Sequence, residues 1–334
     1  MTASPSATLD PELARALARL PEAGTEARLD DLGLIRSLRN TLAIMEALGT
    51  RLPSHPDVHV ENVEVAGRSA DRRLLVRVYR PASHHGGALV FLHGGAYVLG
   101  DVYVEEERCL ELAAGAGVLV ASVEYALAPE EPFPAALEDA YAALSWLVAE
   151  APGLGVDPRR VAVGGSSAGA GLAAALALAV RDRAGPAVAF QLLVYPMLDD
   201  RLATASMSLT GTPLFSRHAA ADAWGHYLGA SPDGAGEGPA ARLGMQAHLA
   251  AAARAPDLGG LPPGYVMVAE LDPLRDEGIT YARRLVEAGV GCELHLFPGT
   301  YHGFDIVGSR TNVGRRALDE QTEALARALS PRSS

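Results

Sequence analysis

The sequence predicts an α/β protein: a mostly parallel sheet of eight strands, flanked by helices on both faces and covered in part by a helical cap. Continuously apolar segments alternate with helical patterns from residue 87 to residue 329. This alternation is typical of parallel strands joined by crossover helices. Two segments that alternate or are apolar come before it, read as a hairpin and predict an antiparallel start. With 334 residues, the chain can bury one large core with elaborations.

Two helical patterns precede the first strand. One begins at Pro11, and the other runs from about residue 30 to residue 48 with an apolar face. Helices at this position need a surface to cover. We therefore expect residues 1–50 to form the N-terminal part of a cap.

Eight segments are predicted to be strands. The first two form a hairpin, and most of the others are apolar throughout, as in strands buried on both faces. The predicted strands are 57–66, 73–80, 87–93, 117–123, 160–164, 187–195, 265–270 and 291–297. The helices predicted after the hairpin are 104–115, 135–149, 167–184, 274–288 and 313–329.

Residues 196–264 interrupt the alternation and are too numerous for an ordinary loop. They include a helical piece at 217–228 and a connector rich in glycine, proline and alanine at 231–240. We interpret this stretch as the second part of the cap. The predicted domains are N-terminal cap helices 1–50, core 51–196, cap insertion and connector 197–260, and core 261–334.

Composition excludes several classes of function. The net charge is −12, with 28 arginines and no lysine, and this acidity argues against nucleic acid as a partner because no basic stripe exists to neutralise phosphates. No apolar run reaches the roughly 18 residues of a membrane span, and the polar N-terminus lacks a signal pattern, so we expect no stable membrane insertion and a cytoplasmic location. Cys109 and Cys292 are isolated, and no His/Asp/Glu cluster has metal-ligand spacing. We expect neither a metal nor a cofactor.

A serine-bearing turn lies where an apolar strand gives way to a helix rich in alanine and leucine. Gly165-Ser166-Ser167-Ala168-Gly169 fits G-x-S-x-G, in which the central serine occupies a sharp strand-to-helix turn. Glycines are needed two residues before and after the serine because neighbouring backbone leaves no room for a Cβ. Ser167 is therefore the candidate nucleophile.

A serine hydroxyl needs a base, and the base needs a third group to orient it. Asp272 directly follows the strand 265–270, and His302 follows 291–297. Both stand at carboxyl ends of strands, where open α/β sheets carry their chemistry, and the order Ser–Asp–His is that of the G-x-S-x-G hydrolases.

Other interpretations of these residues exist. Asp272, before Pro273, also suits the N-cap of the next helix. Asp276 is an alternative acid, but it should lie one helical turn further on and point away. His295 lies within a strand and fits a surface or core position better than a catalytic one.

A glycine loop follows the strand 87–93. Leu92-His93-Gly94-Gly95-Ala96-Tyr97 matches the HGGG-type loop that supplies backbone N–H donors to a tetrahedral oxyanion. The expected donors are the amides of Gly95, Ala96 and Ala168.

Four sequence boxes together resemble the hormone-sensitive-lipase family of α/β-hydrolases, in its bacterial esterase branch. They are His93-Gly94-Gly95-Ala96, Tyr125–Glu130 with Pro132–Ala136, the turn around Ser167, and Asp272–Gly278 with His302-Gly303-Phe304. The resemblance covers about residues 75–330. It implies an α/β-hydrolase fold with a cap, hydrolysis of short- to medium-chain carboxylic esters without a cofactor, and a homodimer through the edge strand 291–297. The sequence departs from the family pattern at Ala96, Ser166 and Ala170, where the family usually has glycine, aspartate and glycine.

We therefore predict a serine carboxylesterase that works through an acyl-enzyme on a small-molecule ester. Candidate substrate-binding residues are Tyr97, Tyr195, Leu214 and Phe215, although each also suits the core, and Tyr195 suits a supporting role equally well. Two alternatives stay open. One is an amidase or deacetylase with the same triad. The other is a ligand-binding protein like the gibberellin receptors, which resemble this family but lack the catalytic histidine.

Overall fold

The computed structural model describes residues 8–20, 29–33, 35–36, 38–39, 54–69, 71–229 and 238–331. Within them lies one eight-stranded sheet with the order β1-β2-β4-β3-β5-β6-β7-β8. The strands are β1 (Val58–Ala66), β2 (Arg73–Pro81), β3 (Gly87–Leu92), β4 (Val118–Val123), β5 (Val161–Ser166), β6 (Phe190–Val194), β7 (Gly264–Ala269) and β8 (Cys292–Phe297). β1–β2 and β2–β4 pair antiparallel, and the other pairs of this sheet are parallel. The predicted mostly parallel sheet with an antiparallel start is confirmed.

Helices cover both faces of the sheet. The described residues form the helices α1 (Pro11–Leu17), α2 (Glu106–Ala116), α3 (Ala135–Leu154), α4 (Ala168–Asp182), α5 (Arg217–Leu228), α6 (Ala247–Ala250), α7 (Arg275–Glu287), α8 (Phe304–Val307) and α9 (Asn312–Leu329). Buried apolar residues of α2, α8 and α9 pack against one face of the sheet. Those of α3, α4 and α7 pack against the opposite face. All residues of β3 to β7 are buried, because helices lie on both sides of these strands.

Helix α3 and the short helices α6 and α8 differ from the sequence prediction. Helix α3 continues to Leu154 instead of ending at residue 149, and it contains Pro152. The proline lies in the last turn, so its missing N–H and steric clash affect few helical bonds. The helix ends at Gly155, which takes the left-handed conformation with φ 71°. Helix α8 was not predicted, because its four residues are too few to show a helical period.

Two separate segments meet beside the carboxyl end of the sheet. The stretch between β6 and β7 contains α5, α6 and three 3₁₀ turns, and residues 32–33, 35–36 and 38–39 are helical. The Leu29 amide donates to Asp222 Oδ2 of α5 at 3.0 Å, and Arg39 Nε donates to the Val98 carbonyl at 2.7 Å. The rest of the second predicted helix, to residue 48, and most of the connector lie outside the described residues. In the described ranges, no helix is both long and apolar enough to cross a membrane.

Candidate active site

Ser167 occupies the turn between β5 and α4, with φ 54° and ψ −121°. A positive φ is strained for a residue with a side chain. The two flanking glycines explain how the turn fits. A Cβ on Gly165 would come within 2.2 Å of the Leu92 carbonyl oxygen, and a Cβ on Gly169 within 2.0 Å of the same atom. The turn therefore requires glycine at both positions and holds the Ser167 side chain at the end of the strand.

Three side chains meet at the carboxyl ends of β5, β7 and β8. Ser167 Oγ lies 2.8 Å from His302 Nε2, and His302 Nδ1 lies 2.7 Å from Asp272 Oδ2. Asp272 is fully buried, while Ser167 and His302 keep exposed fractions of 6% and 8%. A hydroxyl, an imidazole and a carboxylate in this chain of contacts can generate a nucleophile, because the imidazole can take the hydroxyl proton while the carboxylate orients it.

The alternative acid and histidine lie away from Ser167. Asp272 does serve the start of the following helix, since its Oδ1 accepts the Leu274 N–H at 2.8 Å, but its Oδ2 is left for His302. Asp276 Oδ2 instead accepts the Ser206 amide at 2.8 Å. His295 lies on the edge strand β8 between the carboxylates of Glu293 and Glu320. Neither Asp276 nor His295 is part of the Ser167 cluster.

The glycine loop after β3 turns its backbone through left-handed conformations. The φ angles of Gly95, Ala96 and Tyr97 are 130°, 56° and 62°. The amides of Val98 and Leu99 donate to the Gly95 carbonyl at 3.0 and 2.8 Å and close the loop. Gly95 and Ala96 line the same pocket as Ser167. Ala168 is fully buried and opens α4, so its amide lies at the positive end of that helix.

A pocket of about 390 Å³ opens above Ser167 and His302. Its walls are mainly apolar side chains from the N-terminal segment, the loop after β3, the insertion and α8. These are Leu29, Leu38, Leu99, Val104, Leu214, Phe215, Ala219, Ile306 and Val307. The Phe215 ring lies 4.7 Å from the His302 ring at 30° and shields the imidazole. The pocket suits an apolar group next to the serine.

Of the four predicted substrate-binding residues, Leu214, Phe215 and Tyr195 line the pocket, and Tyr97 does not. The Tyr97 ring stacks on Tyr227 with centroids 3.9 Å apart. Its positive φ turns the side chain into the core, away from the position that its sequence neighbours suggested. Tyr195 lines the pocket with its ring 4.7 Å from the His302 ring, and its hydroxyl is buried among charged groups.

Several pocket residues were missed at the sequence level. Leu38 was included only as a member of a cap helix, Leu29 lies just before that helix, and Ile306 follows His302 closely but had no assigned role. Glu105 was also missed, although its carboxylate accepts the Ser166 hydroxyl at 2.5 Å and it lines the pocket. No local pattern links Glu105 to Ser166, because they lie 61 residues apart. Across the described residues, no group of three or more His, Cys, Asp or Glu side chains could hold a metal ion.

Comparisons with known proteins agree on one kind of enzyme. The profile of a family described as alpha/beta hydrolase fold matches residues 89–306. Esterase LipI of Mycobacterium tuberculosis is 34% identical over 326 residues, 95% of each chain. An ethyl acetate hydrolase of Pseudomonas putida is 37% identical over 267 residues, 77% of this chain and 79% of the relative. Among solved structures, a bacterial heroin esterase is 41% identical with a TM-score of 0.86, over 97% of this chain and 99% of that one.

Proposed function

The chain belongs to the hormone-sensitive-lipase family of α/β-hydrolases and is a serine carboxylic ester hydrolase, and we propose that Ser167, His302 and Asp272 carry out its reaction. The observation that supports this assignment is the continuous contact from Ser167 Oγ to His302 Nε2 and from His302 Nδ1 to Asp272 Oδ2. A non-catalytic ligand-binding protein would not need this arrangement.

In the proposed mechanism, Ser167 attacks the ester carbonyl while His302 accepts its proton. Asp272 accepts a hydrogen bond from the Nδ1–H group of His302 and so keeps the ring proton on Nδ1. The other ring nitrogen, Nε2, is then free to act as the base. The oxyanion is stabilised by the amides of Gly95, Ala96 and Ala168. His302 then protonates the departing alcohol, and afterwards it activates the water that hydrolyses the acyl-enzyme. The chemistry requires no cofactor.

We propose that the substrates are neutral esters of short to medium acyl chain. The apolar walls favour an uncharged group, and about 390 Å³ is near the small end of ligand pockets. The relatives named ethyl acetate hydrolase and heroin esterase support small esters as the substrate class. The N-terminal segment and the insertion would exclude water and select the substrate, because both contribute walls of the pocket.

The test compares turnover of p-nitrophenyl butyrate by wild type, Ser167→Ala and Ser145→Ala. Ser145 lies on α3 and donates to the Tyr141 carbonyl, away from the pocket, so Ser145→Ala controls for serine replacement as such. We expect Ser167→Ala to lose at least about 10³-fold in kcat and Ser145→Ala to match wild type. Full turnover by Ser167→Ala would refute the assignment. A series of p-nitrophenyl esters defines the acyl preference, and a matched anilide tests the amidase alternative.

We also propose that the edge strand β8 pairs two copies of the chain. Leu294 and Leu296 expose 42% and 48% of their surface beside unpaired backbone, which invites strand addition. Phe297 of the same strand does not contribute, because it is buried against Phe304. Analytical ultracentrifugation of wild type and Leu296→Glu tests this proposal. We expect a dimer for wild type and a monomer for the variant, and a monomeric wild type would contradict the proposal.

A further inference from the structure

Glu105 is a buried carboxylate next to the active site that the reaction as described does not use. It precedes α2 at the N-cap position, but its side chain does not cap the backbone amides at the start of that helix. Instead, Oε1 accepts the Gly94 amide at 2.8 Å and the Ser166 hydroxyl at 2.5 Å. Gly94 begins the loop that carries the proposed oxyanion donors, and Ser166 precedes the nucleophile. One oxygen atom therefore joins the oxyanion loop to the catalytic turn.

The other oxygen of this carboxylate connects to a buried arginine. Arg108 Nε donates to Glu105 Oε2 at 2.6 Å, and Arg108 Nη1 donates to Asp305 Oδ2 at 2.9 Å. Nη1 also donates to Gln321 Oε1 at 2.6 Å, and Nη2 donates to the Tyr195 hydroxyl at 3.1 Å. Burial by itself lowers the pKa of Arg108, but Asp305, Tyr195 and Glu105 outweigh it and raise the pKa well above its ordinary value. Arg108 is therefore a fixed cation between two buried carboxylates.

The network also reaches His302 through Asp305 and Tyr195. Asp305 lies in the first turn of α8, three residues after His302, and its Oδ1 accepts the Tyr195 hydroxyl at 2.8 Å. The Tyr195 ring in turn packs 4.7 Å from the His302 ring. The loop that carries the histidine and the loop that carries the oxyanion donors thus share Arg108 as a common partner.

We propose that Glu105 and Arg108 are positioning residues that align the oxyanion loop with Ser167 and hold it in register with the His302 loop. This proposal rests on the roles assigned above to Ser167, Gly95 and Ala96. The left-handed backbone at Ala96 and Tyr97 makes such support necessary, because strained conformations persist only where surrounding contacts determine them. Neither Glu105 nor Arg108 reacts with substrate.

A buried ion pair that only stabilises the fold has to be distinguished from a positioning role. The chain provides a matched control in Glu106, the next residue. Glu106 is equally buried, accepts from Arg77 Nε and Nη2 at 2.8 Å, and accepts the Tyr79 hydroxyl at 2.6 Å. Its partners lie on β2, whereas Glu105 Oε1 binds Gly94 and Ser166. Glu106→Gln should therefore weaken the fold without changing turnover per active site.

The experiment measures kcat/KM for p-nitrophenyl butyrate per active site, with sites counted by complete reaction with a p-nitrophenyl phosphonate. It compares wild type with Glu105→Gln and Glu106→Gln. Oxyanion donors act mainly in the transition state, so misplacing them lowers turnover rather than substrate binding. We expect at least about a tenfold loss of kcat/KM for Glu105→Gln and none for Glu106→Gln. Affinity for the intact ester, measured in a Ser167→Ala background, should change less than about twofold.

Equal kcat/KM per site for wild type and Glu105→Gln would overturn the proposal, and so would a loss confined to ester affinity. If Glu105→Gln does not fold, Arg108→Lys replaces it, because lysine keeps the charge but cannot span Glu105, Asp305 and Tyr195 together. Arg108→Lys should also lower kcat/KM per active site, and an unchanged value would overturn the proposal. Failure of the proposed nucleophile would look different, because wild type would then react with the phosphonate somewhere other than Ser167.

Discussion

Replacement of Asp272 by asparagine tests the orientation of His302, the proposed catalytic base. Asp272 Oδ1 accepts the Leu274 N–H at 2.8 Å, and Oδ2 faces His302 Nδ1 at 2.7 Å. In Asp272→Asn, the amide oxygen is needed at Leu274, so the NH₂ group faces His302. Nδ1 must then accept, and the ring proton moves to Nε2, where it faces Ser167. The base is lost although the geometry is kept.

The expected loss is large. The corresponding substitution in a serine-protease triad lowers kcat by about 10⁴, equivalent to about 5.5 kcal/mol at 1.36 kcal/mol per factor of ten. We expect a loss of 10³ to 10⁴ for Asp272→Asn, measured with p-nitrophenyl butyrate at neutral pH. Asp276→Asn is the control, because Asp276 carries a carboxylate one turn away that binds the Ser206 amide. A loss below about tenfold for Asp272→Asn, or a larger loss for Asp276→Asn, would refute this account of the acid.

Three further predictions concern the oxyanion loop, the pocket and a buried acid. Ala96→Gly should keep wild-type turnover, whereas Ala96→Pro should lower both turnover and Tm, because proline cannot adopt φ 56°; equal turnover by the two variants would contradict this. Phe215→Ala should raise kcat/KM for p-nitrophenyl octanoate relative to the acetate, because it removes a pocket wall; an unchanged ratio would contradict this. Burial raises the pKa of the Glu277 carboxyl group well above 4.5. The contribution of this carboxyl group to the free energy of unfolding is therefore present below pH 4.5 and is lost as the pH rises. Glu277→Gln should therefore gain stability relative to wild type between pH 5 and pH 8, by at most about 1.4 kcal/mol per pH unit; a constant difference in Tm would contradict this.

The sequence predicts the sheet and the catalytic turn because both follow from local rules. Strands β3 to β7 are buried on two faces and therefore read as continuous apolar segments. Gly165 and Gly169 are visible in the sequence because contact with the Leu92 carbonyl excludes any other residue. Asp272 and His302 could be proposed because the carboxyl ends of parallel strands lie together.

Some features of the site cannot be predicted from the sequence, because they depend on contacts between distant elements or on the local direction of the backbone. Glu105 joins Gly94 and Ser166 from the start of a different helix, and Arg108 reaches Gln321 across 213 residues. Nothing near Glu105 in the sequence distinguishes it from Glu106, whose partners are on β2. Tyr97 follows the oxyanion loop and was expected in the pocket, but its φ of 62° directs the ring to Tyr227.

The most direct test of the central claim is the site of covalent labelling by a p-nitrophenyl phosphonate, located by peptide mass spectrometry. Ser166 and Ser167 are adjacent, but only Ser167 Oγ lies 2.8 Å from His302 Nε2, while Ser166 Oγ donates to Glu105. We predict one adduct per chain, on Ser167, absent from Ser167→Ala and formed much more slowly in His302→Gln. An adduct on Ser166, or labelling of Ser167 at the wild-type rate in His302→Gln, would contradict the account.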